Sequence, residues 1–264
     1  MTGADPQANA SGRASRAARC LLFVPAHAAR MTLKAQSIAV DAIVLDLEDA
    51  VPPGEKPAAR AGSREFVAAR PGRAFVRINP LAAATAFSIA CGLEDIEAVV
   101  RPGLRGVVLP KVECAADAVA ADTAITIAEQ RHGIAAGSVE LFAIVETARG
   151  IAEAPAIAGA APKRPYRLCF GAGDFTTDIG AEWTRDEEES RVARGLVIIA
   201  SRAAGLPQPI DSVFADIGDA AGLAQSAAAA RRLGFGGKFV IQPAQVAAVT
   251  QAFTPSAQQL AGAR

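Results

Sequence analysis

Ala42-Ile43-Val44-Leu45-Asp46-Leu47-Glu48-Asp49 is the stretch that decides the fold. An apolar run with the length of a buried strand leads directly into carboxylates where that strand should end. Alternation along a strand places Asp46 and Glu48 on one face. Carboxylates crowded at a strand end are costly unless cations or hydrogen bonds compensate them. Taken alone, this stretch could simply be a strand end exposed to solvent. Whether it belongs to a functional site depends on the residues that follow the other strands.

Short apolar runs alternate with longer Ala-rich segments along the whole chain. Eight such units, spaced roughly thirty residues apart, predict a single (β/α)8 TIM barrel. A doubly wound open sheet is the alternative, although Gly171-Ala172-Gly173 lacks the third glycine of a dinucleotide-binding loop, because Thr176 occupies that position. The predicted strands are Leu21–Val24, Ala42–Leu47, Ala74–Ile78, Gly106–Leu109, Val139–Val145, Arg167–Phe170, Ser212–Phe214 and Lys238–Ile241.

Helices are predicted at 28–39, 55–69, 82–100, 114–132, 148–160, 186–204, 219–233 and 243–253. Three glycines that follow Ala- or Arg-rich runs are the expected helix stops: Gly133, Gly205 and Gly234. Asp219 is the expected N-cap of the Ala-rich helix that follows it. The acidic run 186–189 is expected to form the exposed first turn of a helix, where negative charge suits the helix dipole.

Composition narrows the classes of function. The chain has 264 residues, of which 51% are hydrophobic, and its 27 basic and 27 acidic residues give a formal net charge of zero. That balance favours neither nucleic acid nor an anionic membrane as a partner. No apolar run approaches the length of a membrane span. Scattered cysteines without a C-x-x-C pair, and only 2 histidines, argue against a zinc site and predict a cytoplasmic protein with reduced thiols.

Residues 1–18 are rich in Ala, Ser, Gly and Arg and lack the apolar segment of a signal peptide. We therefore expect a disordered N-terminal tail over 1–18. No linker divides the rest of the chain, so residues 19–264 are predicted to form one domain.

The residues that follow the strands of such a barrel converge on one mouth. Glu146 and Asp174 follow consecutive predicted strands and could give two oxygens to Mg²⁺, which keeps its other positions for water and substrate. Arg77 offers a planar fork suited to a carboxylate. These parts suit an enzyme that polarises a 2-oxo acid and stabilises an enolate with a hard cation.

Six motifs in order carry a resemblance to a known family. They are Leu21-Leu22-Phe23-Val24-Pro25-Ala26, Leu45-Asp46-Leu47-Glu48-Asp49-Ala50-Val51, Val76-Arg77-Ile78-Asn79-Pro80, Leu109-Pro110-Lys111-Val112-Glu113, Val145-Glu146-Thr147-Ala148-Arg149-Gly150 and Gly171-Ala172-Gly173-Asp174-Phe175. From about residue 19 onward the chain resembles the citrate lyase β-subunit-like family, which includes malyl-CoA and citramalyl-CoA lyases. The resemblance implies a TIM barrel, dependence on Mg²⁺, usually a homotrimer, and cleavage of a CoA thioester by a retro-Claisen or retro-aldol route.

Residue by residue, the resemblance implies that Glu146 and Asp174 bind the metal. It implies that Arg77 holds the oxo-acid part of the substrate and so takes part in catalysis. Glu48 and Asp49 match acidic residues beside the metal, and we expect these two catalytic residues to order its waters.

Other positions near the mouth differ from the family pattern or have no assigned chemistry. Lys111 and Glu113 are expected to be structural. Gln242 stands where the family's I-H-P motif has His, and Gln cannot transfer a proton near neutral pH. His27 stands where Asp or Asn is more familiar. The sequence also ends where family members commonly continue into a segment that closes over a neighbouring subunit's site and supplies an acidic group, so we expect an incomplete thioester site and no identified proton donor.

Three functions remain open from the sequence. The leading one is a Mg²⁺-dependent carbon–carbon lyase that cleaves a short 3-hydroxyacyl-CoA, such as citryl-CoA or malyl-CoA, to an acyl-CoA and a 2-oxo acid. An aldolase acting on free hydroxy-oxo acids would need the same Arg77, Glu146 and Asp174. A non-catalytic paralogue that retains the metal site is favoured by Gln242 and the short C-terminus. The acyl group stays unnamed, because the loops that contact it follow no readable code.

Overall fold

A closed barrel of parallel strands forms the centre of the molecule, in which each strand pairs with the next and the first pairs with the last. The structure, a computed structural model, describes residues 18–81, 86–160 and 162–255. The strands are β1 (Cys20–Pro25), β2 (Ala42–Asp46), β3 (Ala74–Arg77), β4 (Gly106–Leu109), β5 (Glu140–Val145), β6 (Tyr166–Phe170), β7 (Ile210–Asp211) and β8 (Gly237–Val240). The predicted TIM barrel is confirmed, and the open doubly wound sheet is wrong.

Helices connect successive strands on the outside of the barrel. They are α1 (Ala29–Ala35), α2 (Lys56–Ala69), α3 (Ala86–Val99), α4 (Ala115–Arg131), α5 (Ala148–Ala152), α6 (Ala154–Ala158), α7 (Ala172–Asp178), α8 (Arg191–Ala203), α9 (Ala220–Leu233) and α10 (Val246–Phe253). The glycines predicted as helix stops all have positive φ, from +65° at Gly133 to +120° at Gly234. Asp219 caps α9 as predicted, because its side chain accepts a hydrogen bond from the backbone N–H of Gly222 at 2.8 Å.

Side chains on the strands alternate between two apolar cores. One core lies between strands and helices, and the other fills the barrel interior. In the interior the rings of Phe75 and Phe142 pack with their centroids 4.4 Å apart. Every second residue of a strand points into the barrel. At the carboxyl ends of β2, β3 and β5, the next such positions are Asp46, Arg77 and Glu146. The interior of the barrel is thus apolar, and these polar side chains lie at its mouth, at the carboxyl ends of the strands.

The seventh strand differs from its prediction. It comprises Ile210–Asp211, whereas the sequence favoured Ser212–Phe214. Asp211 is 1% exposed and forms ion pairs with Arg194 and Lys238, so a charged residue fills a buried strand position that hydropathy alone would not assign. Phe214 instead packs in the outer core after the strand has ended.

Two helical segments also differ from their predictions. The segment 148–160 forms α5 and α6, which are separated at Glu153, because Pro155 in the first turn of α6 cannot donate a backbone hydrogen bond to the preceding turn. The short helix α7 was not predicted, since its glycine-rich start resembles a loop.

The acidic run 186–189 does not form an exposed helical turn. Glu187 is 5% exposed, has a left-handed backbone (φ +57°) and pairs with Arg194, so this part of the prediction is wrong. A 3₁₀ turn at Glu188–Ser190 follows before α8 begins.

Some expectations fall outside the described residues. Of the expected tail, only Ala18 is described, and it is buried with the interior core. The start of the predicted third helix, 82–85, and the last residues, 256–264, also lie outside. Within the described part of the chain, no helix is both long enough and apolar enough to span a membrane.

Candidate active site

A cavity of about 570 Å³ opens at the carboxyl ends of the barrel strands. Four of the five predicted site residues contribute to its wall: Asp49, Arg77, Glu146 and Asp174. The bulky apolar side chains in its wall are Phe23, Phe170, Trp183, Val213 and Phe239. The cavity thus has both charged and apolar lining.

Arg77 is held in one orientation by its neighbour on β2. Its Nε donates to Asp46 Oδ1 at 2.7 Å and its Nη2 donates to Asp46 Oδ2 at 2.6 Å, an arrangement of two parallel bonds. The guanidinium also lies over the ring of Phe23, 4.9 Å from the centroid. Burial opposes its charge, but the hydrogen bonds and charge of Asp46 outweigh burial and raise the pKa of Arg77 above its ordinary value. Its Nη1 lies 2.9 Å from Glu48 Oε2, and the residue forms part of the cavity wall.

Asp46 was not among the predicted site residues, although the opening stretch contained it. Besides holding Arg77, its carboxylate accepts from the backbone N–H of Glu48 at 3.0 Å and from that of Ala50 at 3.3 Å. A single buried carboxylate therefore orders both the arginine and the loop that carries the other acids. The strand register could have revealed this role, because Asp46 lies directly beside Arg77 in the β2–β3 pair.

A second group of hydrogen bonds between buried polar residues holds the loop that follows β2. Lys56 Nζ donates to the backbone oxygen of Leu47 at 2.8 Å and to Asn79 Oδ1 at 2.7 Å. Asn79 Nδ2 donates to the oxygen of Leu47 at 3.0 Å and to Asp95 Oδ2 at 2.6 Å. All four of these residues are buried. The loop after β2 therefore has little freedom to move.

Glu48 lies behind the cavity wall. It is 4% exposed, and its Oε1 accepts from Lys111 Nζ at 2.5 Å. Its Oε2 lies 2.9 Å from Arg77 Nη1 but has no partner with hydrogen-bond geometry. Burial raises the pKa of Glu48 to about 7, while the charges of Arg77 and Lys111 act in the opposite direction. Glu48 therefore contacts the two cations of the mouth and does not line the cavity.

Glu146 follows β5 and is 3% exposed. Its Oε1 accepts from the backbone N–H of Lys111 at 2.9 Å, and a Cβ added at Gly171 would lie only 2.2 Å from its Oε2. The glycine thus leaves the space that this carboxylate occupies. Burial raises the pKa of Glu146 to about 8, and the charges of Glu48 and Asp174 raise it further. The carboxylate is short of compensating positive charge.

Asp174 and Asp49 are the more accessible acids. Asp174 lies in the first turn of α7 with a side chain 37% exposed, and Asp49 follows β2 with a side chain 60% exposed. Each has an Oδ2 at 3.3 Å from Lys111 Nζ. Lys111, expected to be structural, therefore reaches into the acidic cluster of the mouth.

The remaining residues singled out from the sequence lie away from the cavity wall. Glu113 lies 3.9 Å from Arg149, and its structural role stays a prediction. Gln242 is exposed and caps the 3₁₀ turn that precedes α10. His27 Nε2 lies 3.7 Å from Glu55. Neither Gln242 nor His27 lines the cavity.

Ser212 is a wall residue that the sequence did not predict. Its Oγ accepts from the backbone N–H of Ala172 at 2.7 Å, which ties the start of α7 to the end of β7. It was missed because the seventh strand was placed two residues too late, so Ser212 was assigned to the strand and not to the mouth above it.

The carboxylates of the mouth could supply some, but not all, of the ligands of a Mg²⁺ ion. Among the described residues, no three His, Cys, Asp or Glu side chains converge closely enough to hold a metal ion by themselves. Mg²⁺, however, is commonly held by one or two carboxylates with water and substrate oxygens in the other positions. The raised pKa of Glu146, which is buried beside the charges of Glu48 and Asp174, marks a place that lacks positive charge. Glu146 and Asp174 therefore suit a cation that keeps open positions.

Two solved structures from Mycobacterium tuberculosis resemble this fold closely. The citrate lyase β subunit complexed with oxaloacetate and magnesium gives a TM-score of 0.72 at 31% identity, covering 90% of this chain and 98% of that chain. The protein CitE in complex with magnesium, acetoacetate and coenzyme A gives a TM-score of 0.73 at 32% identity, covering 94% of this chain and 85% of that chain.

Sequence comparison gives the same relationship. The citrate lyase β subunit of Haemophilus influenzae is 34% identical over 249 residues, which cover 93% of this chain and 83% of that protein. The L-malyl-CoA/β-methylmalyl-CoA lyase of Cereibacter sphaeroides is 33% identical over an alignment of 270 positions, which covers 95% of this chain and 83% of that protein. Residues 19–243 match the family described as HpcH/HpaI aldolase/citrate lyase. The chain therefore belongs to the HpcH/HpaI aldolase/citrate lyase family and is an enzyme of the oxo-acid lyase class.

Proposed function

We propose that this protein is a Mg²⁺-dependent carbon–carbon lyase that cleaves a short 3-hydroxyacyl-CoA, of the citryl-CoA or malyl-CoA type, into an acyl-CoA and a 2-oxo acid. The observation that carries the proposal is the convergence of Arg77 with Glu146 and Asp174 on one cavity. Support comes from relatives that are citrate lyase β subunits and malyl-CoA lyases, and from similar structures that hold magnesium with oxaloacetate or coenzyme A.

Arg77 binds the carboxylate of the oxo-acid part. Two of its N–H groups are already committed to Asp46, so the guanidinium presents its remaining donors in a fixed direction. A fork that is ordered before the substrate arrives loses little conformational entropy on binding. This contact sets the orientation of the bond to be broken.

Glu146 and Asp174 would hold Mg²⁺, which when bound would supply positive charge to the oxygens of the oxo-acid part and so favour loss of the 3-hydroxyl proton. Glu146 contributes a buried oxygen in a fixed place, because the Lys111 backbone N–H and the space at Gly171 determine its position. Asp174 contributes from the more open side of the cavity.

Cleavage also needs two proton movements. The 3-hydroxyl loses a proton as the bond between C2 and C3 breaks, and the α-carbon of the acyl-CoA product gains one. Asp49 is the predicted catalytic carboxylate that reaches the cavity and can exchange a proton there. Glu48 acts from behind the wall by holding Arg77 and Lys111 in position.

The apolar lining of the cavity serves the thioester end of the substrate. Phe239 and Trp183 contribute uncharged surface to its wall. Apolar surroundings strengthen the electrostatic contacts of a reacting group by excluding water. A cavity of about 570 Å³ takes the oxo-acid and acyl parts, so the remainder of coenzyme A would extend through the open mouth.

Release of oxo acid from citryl-CoA, malyl-CoA and citramalyl-CoA tests the proposal directly. The expected result is release from at least one thioester with Mg²⁺, none with EDTA, and none from Glu146→Gln or Asp174→Asn. Glu65→Gln, an exposed acid on α2, is the matched control and should keep full activity. A protein that binds Mg²⁺ yet cleaves no thioester would refute the proposal, and cleavage of only a free hydroxy-oxo acid would assign the aldolase reaction instead.

A further inference from the structure

Lys111 has an unusual place within the acidic cluster of the mouth. Its Nζ lies 2.5 Å from Glu48 Oε1 and 3.3 Å from an oxygen of each of Asp49 and Asp174. One ammonium therefore contacts three carboxylates, and one of these belongs to Asp174, a proposed metal ligand. The side chain is partly exposed, at 31%, on the open side of the cluster.

The backbone of Lys111 is also unusual. Its φ of +52° lies in the left-handed region, which residues with a Cβ adopt rarely and at a cost. In that conformation its N–H donates to Glu146 Oε1 at 2.9 Å, while its ammonium reaches Asp174. The same residue therefore contacts both proposed metal ligands through different groups. Such strain persists only where surrounding contacts hold it, and it is most often found at functional sites.

An ammonium and a divalent cation repel each other when they share a carboxylate. The contact between Lys111 and Glu48 is short, and Glu48 is buried, so this pair is the firmer one. The contacts of Lys111 with Asp49 and Asp174 are longer and involve more exposed side chains. A cation that takes Asp174 would therefore push the ammonium toward Glu48 and leave that shorter contact in place.

We propose that Lys111 is a built-in competitor of the divalent cation at Asp174, which weakens metal binding and keeps the acidic cluster together when the cation leaves. Without a positive charge, carboxylates this close together would repel one another and destabilise the mouth. The ammonium supplies that charge reversibly, so the metal stays exchangeable. The inference rests on the proposed function, because it takes Glu146 and Asp174 as the metal ligands.

Calorimetric titration with Mg²⁺ of the wild type, Lys111→Met and Lys163→Met tests this inference. Methionine keeps the length of the side chain and removes its charge. Lys111→Met should bind Mg²⁺ on the order of tenfold more tightly than the wild type, because a nearby repulsive charge has gone. Lys163→Met removes an exposed lysine at the opposite end of the barrel and should bind as the wild type does. A purely structural role for Lys111 gives the reverse result, weaker binding, and weaker or unchanged binding would overturn the proposal.

Amine labelling of the wild type gives a second test that needs no variant. Mg²⁺ should lower the acetylation rate of Lys111 severalfold, measured by peptide mass spectrometry, because the cation pushes its amine toward the buried Glu48, and should leave Lys163 unchanged. An unchanged rate at Lys111 in a protein that binds Mg²⁺ would overturn the competitor role and leave the proposed lyase function standing. Failure of the wild type to bind Mg²⁺ in calorimetry would overturn both.

Discussion

Two clusters of charged side chains in this barrel contain the same residue types but differ in the ratio of carboxylates to cations. The mouth cluster has five carboxylates and two cations, namely Asp46, Glu48, Asp49, Glu146, Asp174, Arg77 and Lys111. The β7–β8 cluster has two carboxylates and two cations, namely Glu187, Asp211, Arg194 and Lys238. The first borders the open cavity, whereas all four residues of the second are buried.

In the β7–β8 cluster every charge has a close partner. Lys238 Nζ lies 2.6 Å from Asp211 Oδ2, and Arg194 lies within 3.0 Å of both Asp211 and Glu187. Ser226 Oγ adds a hydrogen bond to Glu187 at 2.9 Å. This cluster joins β7, β8 and α8 and has no charge left over. Its role is structural.

In the mouth cluster negative charge is in excess. Burial raises the pKa of Glu146 to about 8 and that of Glu48 to about 7, so both carboxylates are held at a cost. The comparison shows that residue type alone does not separate a functional cluster from a structural one. The difference lies in the uncompensated charge and in access to a cavity.

Removing one proposed metal ligand from the mouth cluster should have the largest effect on function. Asp174→Asn should abolish Mg²⁺ binding in calorimetry and lower turnover about a thousandfold or more, because a bound metal stabilises the reacting charge by several kcal/mol. The free energy of unfolding should not fall, since an excess negative charge has been removed. Turnover within tenfold of the wild type would show that Asp174 is not a ligand.

An Asp→Asn substitution in the β7–β8 cluster should lower the stability of the fold and leave metal binding unchanged. Asp211→Asn leaves Lys238 and Arg194 buried without their shared partner and should destabilise the fold by about 3–5 kcal/mol. Mg²⁺ affinity of the folded protein should stay unchanged. Urea unfolding measures the first quantity and calorimetry the second. A loss below about 1 kcal/mol would show that this cluster is not structural in the sense argued.

Asp46→Asn tests the part of the mouth cluster that is paired. Losing the charge that holds Arg77 should raise KM for the substrate roughly tenfold to a hundredfold, because hydrogen bonds between charged groups contribute about 1.5–3 kcal/mol. The change in kcat should be smaller, since the arginine is loosened and not removed. Steady-state kinetics separate the two constants. A fall in kcat with KM unchanged would contradict a positioning role for Asp46.

The pH dependence of stability tests the uncompensated charge of Glu146 without a change in the substrate or the metal. The pKa of Glu146 is about 8 in the fold against its ordinary value of 4.5, so between these values the unfolded chain binds fewer protons than the folded protein. In EDTA, the free energy of unfolding should therefore fall as pH rises from 5 to 8, by at most about 1.4 kcal/mol per pH unit from this group. Glu146→Gln should flatten that slope. An identical slope in the variant would show that Glu146 is not the source.

Much of the barrel could be predicted because its strands are buried on both faces and appear as apolar runs. β7 could not be placed correctly, since its Asp211 is tolerated only through ion pairs with residues distant in the sequence. Likewise, α7 begins with glycines, whose weak helix propensity hides a helix that tertiary contacts fix. A hydropathy pattern reports neither ion pairs between distant residues nor the tertiary contacts that fix a helix.

At the mouth, the sequence predicted the residues that follow the strands but not their mutual contacts. Arg77 and Glu146 were found because each ends an apolar run. Asp46 and Lys111 were assigned no site role, since their partners depend on the strand register and on one left-handed residue. The homotrimer and the cytoplasmic location remain predictions, as do the roles of the five site residues Glu48, Asp49, Arg77, Glu146 and Asp174.

Binding of a 2-oxo acid to the wild type, with and without Mg²⁺, tests most directly whether the excess charge of the mouth cluster serves a metal. Calorimetric titration with oxaloacetate or glyoxylate should show binding in Mg²⁺ that EDTA abolishes. The Asp211→Asn variant should show the same metal dependence, whereas Asp174→Asn should show no binding in either condition. Equal affinity of the wild type in Mg²⁺ and in EDTA would contradict the account, because the cavity would then recognise the oxo acid without a cation.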